Sequence, residues 1–425
     1  MEYTADSNEA LCLSLVRARD DADALSGSEK NLVSEFNPKF TYPIFGEEEK
    51  IYGYEDLEVQ LKFTSGSLQQ FLSINYSSKL SGAGSKVADD VEQTLFKFIP
   101  PDYVKSSAAF QKRVEADATT FRPVGEKIYS YTRKAEGAPN DKGKGKASDE
   151  AVSEDDETAV VYEVYWANWE TPGFREYHRR MQLFVLLYIE GGSYIQEDED
   201  KWEFVVLYEK RRRRDAARTE TYHFVGYSSL YSFYCWPDRV RLRLSQFVIT
   251  GPYQNKGHGA QLYNAIYQRT VGRDSIAELT VEDPSEAFED LRDKCDLRML
   301  FKDSKFLEEA YGLSDDDGEV RSAPPPSAKG KLGPPTNKEW AQRWKEQLKI
   351  AGRQWSRLIE MLILRSLPLQ DAVINRAFRL QVKERLFRFN YEIMSQLDKQ
   401  ERHEKLEETF VSVRDDYRRI LGLVE

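Results

Sequence analysis

The spacing of apolar side chains changes along the chain, and it predicts which segments are strands and which are helices. In the N-terminal part, apolar residues alternate with polar ones at Leu57, Val59, Leu61 and Phe63, and again at Leu72, Ile74 and Tyr76. A period of two predicts half-buried strands, and the Gly66-Ser67 pair between the two runs predicts a hairpin.

The C-terminal part follows a helical period instead. From Trp340 to Leu364 and from Ala372 to Leu421, apolar residues recur every three or four positions, with many Arg, Lys and Glu residues between them. Pro368 separates the two runs. This spacing predicts a helical domain that is interrupted at the proline.

The middle part alternates between the two kinds of signal. The predicted strands are Trp202 to Tyr208, Tyr222 to Tyr234, Leu242 to Thr250 and Ser275 to Val281. The predicted helices are Met181 to Ile189, Gly259 to Val271 and one that begins at Pro284. Strands and helices in this order predict an α/β sheet that is covered by helices.

Two segments lose the hydrophobic pattern and divide the chain. Residues 134–158 contain a Lys/Gly run followed by an acidic run, which is typical of a disordered loop. Residues 314–338 are first acidic and then rich in proline, which is typical of a linker. The predicted domains are therefore residues 1–133, 159–313 and 339–425.

Composition narrows the class of protein. The 425 residues carry a formal net charge of −11 at pH 7, which disfavours direct DNA binding and favours basic partners. Three scattered cysteines and four scattered histidines predict neither disulfides nor a metal site. The N-terminus is acidic, unlike a secretory signal, and the longest apolar run, Leu183 to Ile189, is too short to cross a membrane. We expect a soluble intracellular protein.

A glycine-containing segment in the middle block is the strongest candidate for chemistry. Gln254-Asn255-Lys256-Gly257-His258-Gly259-Ala260 follows the strand that ends Phe247-Val248-Ile249, and it opens a helix. Glycines let the main chain approach a ligand, and the first turn of a helix offers N–H groups and positive dipole charge to a phosphate. An ordinary glycine turn is the alternative. The motifs for NAD and ATP sites are incomplete here, and His258 is interpreted as a packing or hydrogen-bonding residue.

Two acidic residues follow the last predicted strand of the middle block. Glu282 ends that strand, where open α/β sheets place ligands, and the pattern gives it no structural role. Asp283 has an alternative explanation, because an Asp followed by Pro284 suits the N-cap of a helix.

Several segments together carry a family resemblance. They are Ser245 to Ile249, Pro252 to Leu262 and Val281 to Pro284, with a weaker match at Tyr42 to Gly46. In these segments the chain resembles the catalytic subunits of type B histone acetyltransferases, and in particular their fungal members, within the GCN5-related N-acetyltransferase (GNAT) superfamily. The resemblance implies an α+β fold: a mixed-sheet GNAT core with an N-terminal α/β domain and a C-terminal helical domain.

The resemblance also implies an activity and a set of site residues. It implies an acetyl-CoA-dependent lysine N-acetyltransferase that acts on the N-terminal tail of newly made histone 4. The backbone of Phe247, Val248 and Ile249 would bind the pantetheine amides, and Gln254 to Ala260 would surround the pyrophosphate. Glu282 matches the general base, and Glu190 and Asp283 match further acidic residues, although Glu190 also suits a solvated helix end. Ser285 and Lys294 match positions that contact CoA, although Lys294 equally suits an exposed helix charge.

Acidic and aromatic residues outside this core would suit a Lys/Gly-rich peptide, because carboxylates pair with lysines and rings pack against their stems. The candidates are Glu47, Glu48, Glu49, Tyr231, Phe233, Tyr234 and Trp236. A solvated loop and a half-buried core stripe are the alternatives. The resemblance places a WD-repeat propeller subunit, a histone chaperone, at Tyr234 to Arg239, and it implies a protein of the nucleus and cytoplasm. The basic run from Lys210 to Arg214 is interpreted as a solvated hairpin loop.

Two other functions remain open at this stage. The same core could acetylate a small amine or polyamine, although such a substrate would not need the first block or the aromatic strand end. A histone-binding scaffold with an inactive acetyltransferase core is the second alternative, and the intact glycine segment and Glu282 disfavour it.

Overall fold

The computed structural model describes residues 3–81, 87–135, 153–154, 156, 159–312, 330–368 and 370–424. By backbone contacts the chain forms two compact units. The first comprises Met1–Phe233 with Arg243–Ile266, and the second comprises Tyr234–Leu242 with Tyr267–Glu425. Most of the segment predicted to be a disordered loop, and the larger part of the predicted linker, lie outside the described residues.

The N-terminal part of the first unit contains small sheets. Its strands are β1 (Thr4–Asp6), β2 (Leu11–Val16), β3 (Lys50–Tyr52), β4 (Tyr54–Glu55), β5 (Glu58–Thr64), β6 (Gln70–Asn75) and β7 (Ser78–Lys79). β5 pairs antiparallel with β6, which confirms the hairpin, and parallel with β2. Leu61 of β5 is fully buried between its partners Leu13 and Leu72, as the alternating pattern predicts.

A larger sheet forms the other part of the first unit. Its strands are β8 (Glu126–Lys134), β9 (Ala159–Asn168), β10 (Trp202–Arg212), β11 (Glu220–Cys235) and β12 (Arg239–Ile249), and they lie in the order β12-β11-β10-β9-β8. β11 belongs to the first unit as far as Phe233, and β12 from Arg243 onward. The pairs β8–β9, β9–β10 and β10–β11 are antiparallel. β8 lies mostly in the first predicted block and β9 in the second, so this sheet joins two segments that composition separates.

Helices cover the sheets of the first unit. They are α1 (Ser7–Ala10), α2 (Arg19–Asp23), α3 (Tyr42–Phe45), α4 (Val91–Phe96), α5 (Ser107–Thr120), α6 (Phe174–Met181), α7 (Leu183–Tyr188) and α8 (His258–Val271), with 3-10 helices at Gly27–Val33 and Gly251–Tyr253. α8 belongs to this unit as far as Ile266. α7 supplies the apolar helix that was predicted from Met181 to Ile189, and α8 begins one residue before the predicted start.

The interpretation of Lys210 to Arg214 as a solvated loop is wrong. β10 continues to Arg212, and Arg211 donates to the buried carboxylate of Glu29. Arg213 donates from Nε and from Nη2 to the two carboxylate oxygens of Asp21, which is also buried. These arginines pair with carboxylates of the N-terminal part of the unit, because a buried carboxylate is costly unless an opposite charge neutralises it.

The second unit is mainly helical. Its elements are β13 (Ile276–Val281), α9 (Glu286–Lys302), α10 (Ser304–Tyr311), α11 (Lys338–Gln347), α12 (Gly352–Ser366), α13 (Ala372–Phe389), α14 (Tyr391–Met394) and α15 (Lys399–Val424). β13 lies beside the first residues of β12, since Thr280 Oγ1 donates to the Leu242 carbonyl. The break at Pro368 is confirmed between α12 and α13. The aromatic centre of this unit is Phe306, which stacks on Trp340 and meets Trp344 edge-on.

No helix within the described ranges combines the length and the apolar character needed to cross a membrane.

Candidate active site

The strand that leads into the glycine segment alternates between buried and half-buried residues. In β12 the side chain of Val248 lies in the core, whereas those of Phe247 and Ile249 are half-buried on the opposite face. The neighbouring strand β11 comes very close here, because a Cβ on Gly226 would lie 2.3 Å from the Val248 carbonyl oxygen. The side-chain amide of Gln254 donates to the Ile249 carbonyl at 2.7 Å and so ties the segment back to the strand.

The turn between β12 and α8 has the backbone that the glycine pattern predicts. Asn255 and Gly257 both have left-handed φ angles, of 59° and 77°. Glycine adopts this conformation freely and Asn more readily than most residues. α8 begins directly afterwards at His258, so the N–H groups of its first turn and its positive dipole end lie at the turn. This arrangement suits an anionic group such as a diphosphate.

Alternate residues of β8 hold this turn, which the sequence did not reveal. Tyr129 Oη donates to Gln261 Oε1 at 3.0 Å, and a 2.7 Å hydrogen bond joins Tyr131 Oη to His258 Nδ1. Arg133 donates to the Lys256 carbonyl. The period-two pattern of β8 is visible in the sequence, but nothing there indicates that its partner lies more than 120 residues further along the chain.

His258 is a packing residue. Its ring is 2% exposed and lies 4.5 Å from the ring of Tyr162. Burial, with a smaller contribution from Arg133, lowers the pKa of His258 to about 3, so the imidazole is neutral near pH 7. Packing and hydrogen bonding within the segment are the roles that the sequence favoured.

A buried ion pair lies directly behind the segment. Arg17 donates to both carboxylate oxygens of Glu209 at 3.0 and 3.1 Å, and also to Tyr253 Oη at 2.7 Å. Tyr253 in turn donates to Glu209 at 2.8 Å. Burial alone would raise the pKa of Glu209, but Arg17 and Arg211 outweigh it and hold that pKa well below its ordinary value. Tyr253 precedes Gln254, so the N-terminal strand region anchors the start of the turn.

Glu190 is exposed and follows the C-terminal end of α7. The next residue, Gly191, has φ 70° and donates its N–H to Tyr42 Oη at 2.6 Å. The Tyr42 to Gly46 segment, which carried the weaker family match, is thereby fastened to the end of α7.

The remaining predicted catalytic and CoA-contacting residues lie in the second unit. Glu282 and Asp283 are exposed and follow β13 directly. The N-cap explanation for Asp283 is wrong: Ser285 caps α9 by accepting from the Phe288 N–H, and Asp283 has a left-handed φ of 31°. Lys294 is half-buried on α9.

The structure separates the three glutamates that were predicted to bind substrate. Glu47 and Glu48 are exposed. Glu49 accepts from the Thr41 and Tyr42 N–H groups at 2.7 and 3.1 Å and from Asn8 at 2.8 Å. The Thr41 bond is the main reason that the pKa of Glu49 lies below its ordinary value. Glu49 therefore holds the start of α3, whereas Glu47 and Glu48 point to solvent, with Glu48 3.7 Å from Lys50 Nζ.

The predicted aromatic residues differ in environment. In the first unit, Tyr231 packs between Trp202 and Phe233, and Arg243 lies 4.3 Å from the centre of the Phe233 ring. In the second unit, Tyr234 and Trp236 are 67% and 81% exposed. Such exposure is unusual for large aromatic side chains and favours a binding role over a core role.

Comparisons with known proteins identify the class. A family model described as Histone acetyl transferase HAT1 N-terminus matches residues 3–190, and one described as Fungal HAT1, C-terminal matches residues 327–367. The histone acetyltransferase type B catalytic subunit of Cryptococcus neoformans var. neoformans serotype D is 52% identical, covering 99% of this chain and 98% of that protein. The one from Mycosarcoma maydis is 46% identical, covering 94% and 86%.

The protein is therefore an acyltransferase, a histone acetyltransferase with an α+β fold. Within that class it belongs to the fungal family of histone acetyltransferase type B catalytic subunits. The family implied by the sequence resemblance is confirmed, and so is the α+β fold class. Among solved structures, an aminoglycoside acetyltransferase in complex with sisomicin aligns with 30% of this chain and 79% of its own at 12% identity and a TM-score of 0.22, which is too limited to add to the assignment.

Proposed function

We propose that this histone acetyltransferase transfers the acetyl group of acetyl-CoA to a lysine in the N-terminal tail of histone 4, by direct attack in a ternary complex with Glu282 as the general base. The observation that carries the proposal is the left-handed turn at Asn255 and Gly257 that opens α8, because it presents a helix N-terminus to an anionic cosubstrate. Acetyl-CoA supplies an activated acetyl thioester. The turn binds its diphosphate, and the backbone of Phe247 to Ile249 binds the pantetheine amides.

Burial favours a carboxylate over a histidine as the base. A lysine ammonium has a pKa of about 10.4 and must lose a proton before its nitrogen can attack the thioester carbon. His178, His223 and His258 are buried and so cannot reach a peptide lysine, and burial lowers the pKa of His178 and of His258 to about 3 and that of His223 well below its ordinary value. The fourth histidine, His403, is exposed on α15. Glu282, Glu190 and Asp283 are exposed carboxylates, and Glu282 is the one that we propose as the base.

Direct attack is favoured over a covalent acyl-enzyme. Burial raises the pKa of Cys295 to about 12, so this thiol is not a nucleophile at neutral pH. Burial likewise raises the pKa of Cys12. In the proposed step Glu282 accepts one proton from the lysine ammonium, and the neutral nitrogen then forms the new C–N bond to the acetyl carbon. The C–S bond breaks, and the second proton that the nitrogen loses passes to the departing thiolate, so that CoA leaves as a thiol.

A basic tail suits the surface of the chain. The net charge of −11 and the exposed carboxylates of Glu47 and Glu48 attract lysine-rich peptides. We further propose that the exposed Tyr234 and Trp236 belong to a docking segment, Tyr234 to Arg239, for a WD-repeat histone chaperone. Location in the nucleus and cytoplasm stays a prediction.

The test of the base is the substitution Glu282→Gln. Turnover on a histone 4 tail peptide at pH 7.5 should fall by about 100-fold or more, the usual contribution of a positioned base, while the Kd for acetyl-CoA stays within about twofold. Steady-state kinetics and calorimetric titration measure the two quantities.

The matched control is Glu286→Gln, which makes the same exchange at an exposed glutamate in the first turn of α9 and should leave turnover unchanged. Unchanged turnover in Glu282→Gln would remove Glu282 from the base role. Faster turnover on spermidine than on the peptide would instead favour a small-amine acetyltransferase.

A further inference from the structure

One face of β8 is aimed at the proposed diphosphate turn. Tyr129, Tyr131 and Arg133 occur at every second position, and a strand places such residues on the same side. Their partners follow the start of α8 in reverse order: Gln261, His258 and the carbonyl of Lys256. The contacts of β8 therefore run along the proposed cosubstrate segment, from Gln261 in the first turns of α8 back to Lys256 in the turn before the helix.

Arg133 is the charged member of this face. Its guanidinium lies 5.2 Å from the centre of the Tyr131 ring, donates to the Lys256 carbonyl, and places Nη2 3.1 Å from the position that a Cβ on Gly257 would occupy. The side chain therefore lies directly against the backbone of the left-handed turn.

We propose that Arg133 is a positioning residue for the acetyl-CoA diphosphate: it fixes the turn in its left-handed form and adds positive charge beside the anion. The inference rests on the proposed function, in which this turn binds the diphosphate.

The physical reasons are two. A left-handed Asn255 is a strained backbone state that persists only when surrounding contacts impose it. The bond from Arg133 to the carbonyl of the residue between Asn255 and Gly257 supplies such a contact. In addition, a guanidinium is charged at every physiological pH and carries several N–H donors, so it strengthens the anion site that the N-terminus of α8 creates.

The experiment compares Arg133→Ala and Arg133→Lys with the parent protein. The affinity for acetyl-CoA is measured by calorimetric titration, and KM and kcat are measured with the histone 4 tail peptide. For Arg133→Ala we expect Kd and KM for acetyl-CoA to rise by about tenfold or more, which corresponds to the loss of one charge-assisted hydrogen bond. KM for the peptide should stay within about twofold, and Arg133→Lys should fall between the two, since lysine keeps the charge but loses the planar fork.

Arg175→Ala provides a matched control. Arg175 also lies over an aromatic ring, 5.1 Å from the centre of Trp169, and donates to a backbone carbonyl, that of Glu197, at 2.7 Å. It makes these contacts away from the turn. Its loss should cost comparable stability and leave the affinity for acetyl-CoA unchanged.

If Arg133→Ala does not fold, Tyr131→Phe replaces it: this variant keeps the ring and removes only the hydrogen bond to His258, and it should raise the Kd for acetyl-CoA by several-fold. An unchanged Kd in a folded Arg133→Ala protein would overturn the inference, and so would an equal rise in the Arg175→Ala control. If the parent protein itself does not bind acetyl-CoA, the proposed function fails, which is a different outcome.

Discussion

At the scale of single residues, Glu209 shows how burial and charge are balanced in the first unit. Its carboxylate is completely buried and accepts from Arg17, Arg211 and Tyr253. Removing one member of such a buried ion pair leaves the other charge buried without a partner, which destabilises the fold strongly. Replacing the whole pair with apolar residues usually changes stability much less. Because Arg17 and Glu209 both hydrogen-bond to Tyr253, the residue before Gln254, this ion pair holds the start of the proposed diphosphate turn in place.

The substitution Glu209→Gln should therefore lower the free energy of unfolding by about 3–5 kcal/mol at pH 7, because it leaves the buried Arg17 without its carboxylate. Arg211 is half-buried and keeps its bond to Glu29. The folded-state pKa of Glu209 is depressed below its ordinary value of 4.5. The ionised carboxylate thus contributes fully above about pH 4.5, and its contribution is lost as the pH falls through the folded-state pKa.

Urea unfolding from pH 8 to pH 4 measures this prediction. The difference between parent and variant should be constant above about pH 5 and shrink below it. Glu220→Gln is the control, since Glu220 is only half-buried beside Lys210 and Arg212, and its loss should cost less than about 1 kcal/mol. Equal losses in the two variants would contradict the argument.

At the scale of elements, the turn and the start of α8 together form the proposed diphosphate site, and the left-handed backbone of the turn depends on Gly257. Its φ of 77° disfavours any side chain, and an added Cβ would meet Arg133 at 3.1 Å. The strained state costs on the order of 1–3 kcal/mol, and the turn can relieve it by moving away from Arg133.

Gly257→Ala should therefore raise KM for acetyl-CoA by about five- to tenfold with a smaller change in kcat, as measured by initial rates. Gly352→Ala is the control, because that glycine opens α12 with nothing within 4 Å of its Cβ position and no positive φ. The control should be neutral or stabilised by about 0.5–1 kcal/mol, since alanine favours a helix. A KM for Gly257→Ala that matches the control would show that the turn tolerates a side chain.

The elements also show what the sequence could predict. Local periodicity predicted the β5–β6 hairpin, the strands leading to Ile249 and Val281, and the helix after the glycine segment, because these depend on neighbouring residues. The contacts of Arg133 with the turn, and of Arg211 and Arg213 with Glu29 and Asp21, join residues far apart in the chain, and no local pattern reveals them. The prediction that Asp283 caps α9 was wrong for a local reason. Asp283 and Ser285 are both good N-cap residues, but the backbone at Asp283 is left-handed, and the helix is capped by Ser285.

At the scale of the whole molecule, each unit stabilises itself with buried charge as well as apolar packing. The second unit has a counterpart to the Glu209 cluster, in which Arg385 donates to both oxygens of Glu360 and Tyr417 donates to one of them. In both clusters the buried carboxylate accepts hydrogen bonds from arginine and tyrosine side chains of the same unit. The charge that we propose acts on a basic tail comes from exposed carboxylates such as Glu47 and Glu48 and from the overall excess of Asp and Glu.

The net charge of −11 should make peptide binding depend on ionic strength. The attraction between an acidic surface and a lysine-rich tail is screened beyond about 10 Å at 0.1 M salt. KM for a histone 4 tail peptide should therefore rise several-fold between 50 and 300 mM salt, and kcat should change less, because screening acts on encounter rather than on proton transfer. A peptide of equal length with glutamine at every lysine except the acceptor is the control, and its KM should depend much less on salt. Equal salt dependence for the two peptides would show that binding rests on local contacts rather than on the overall charge of the protein.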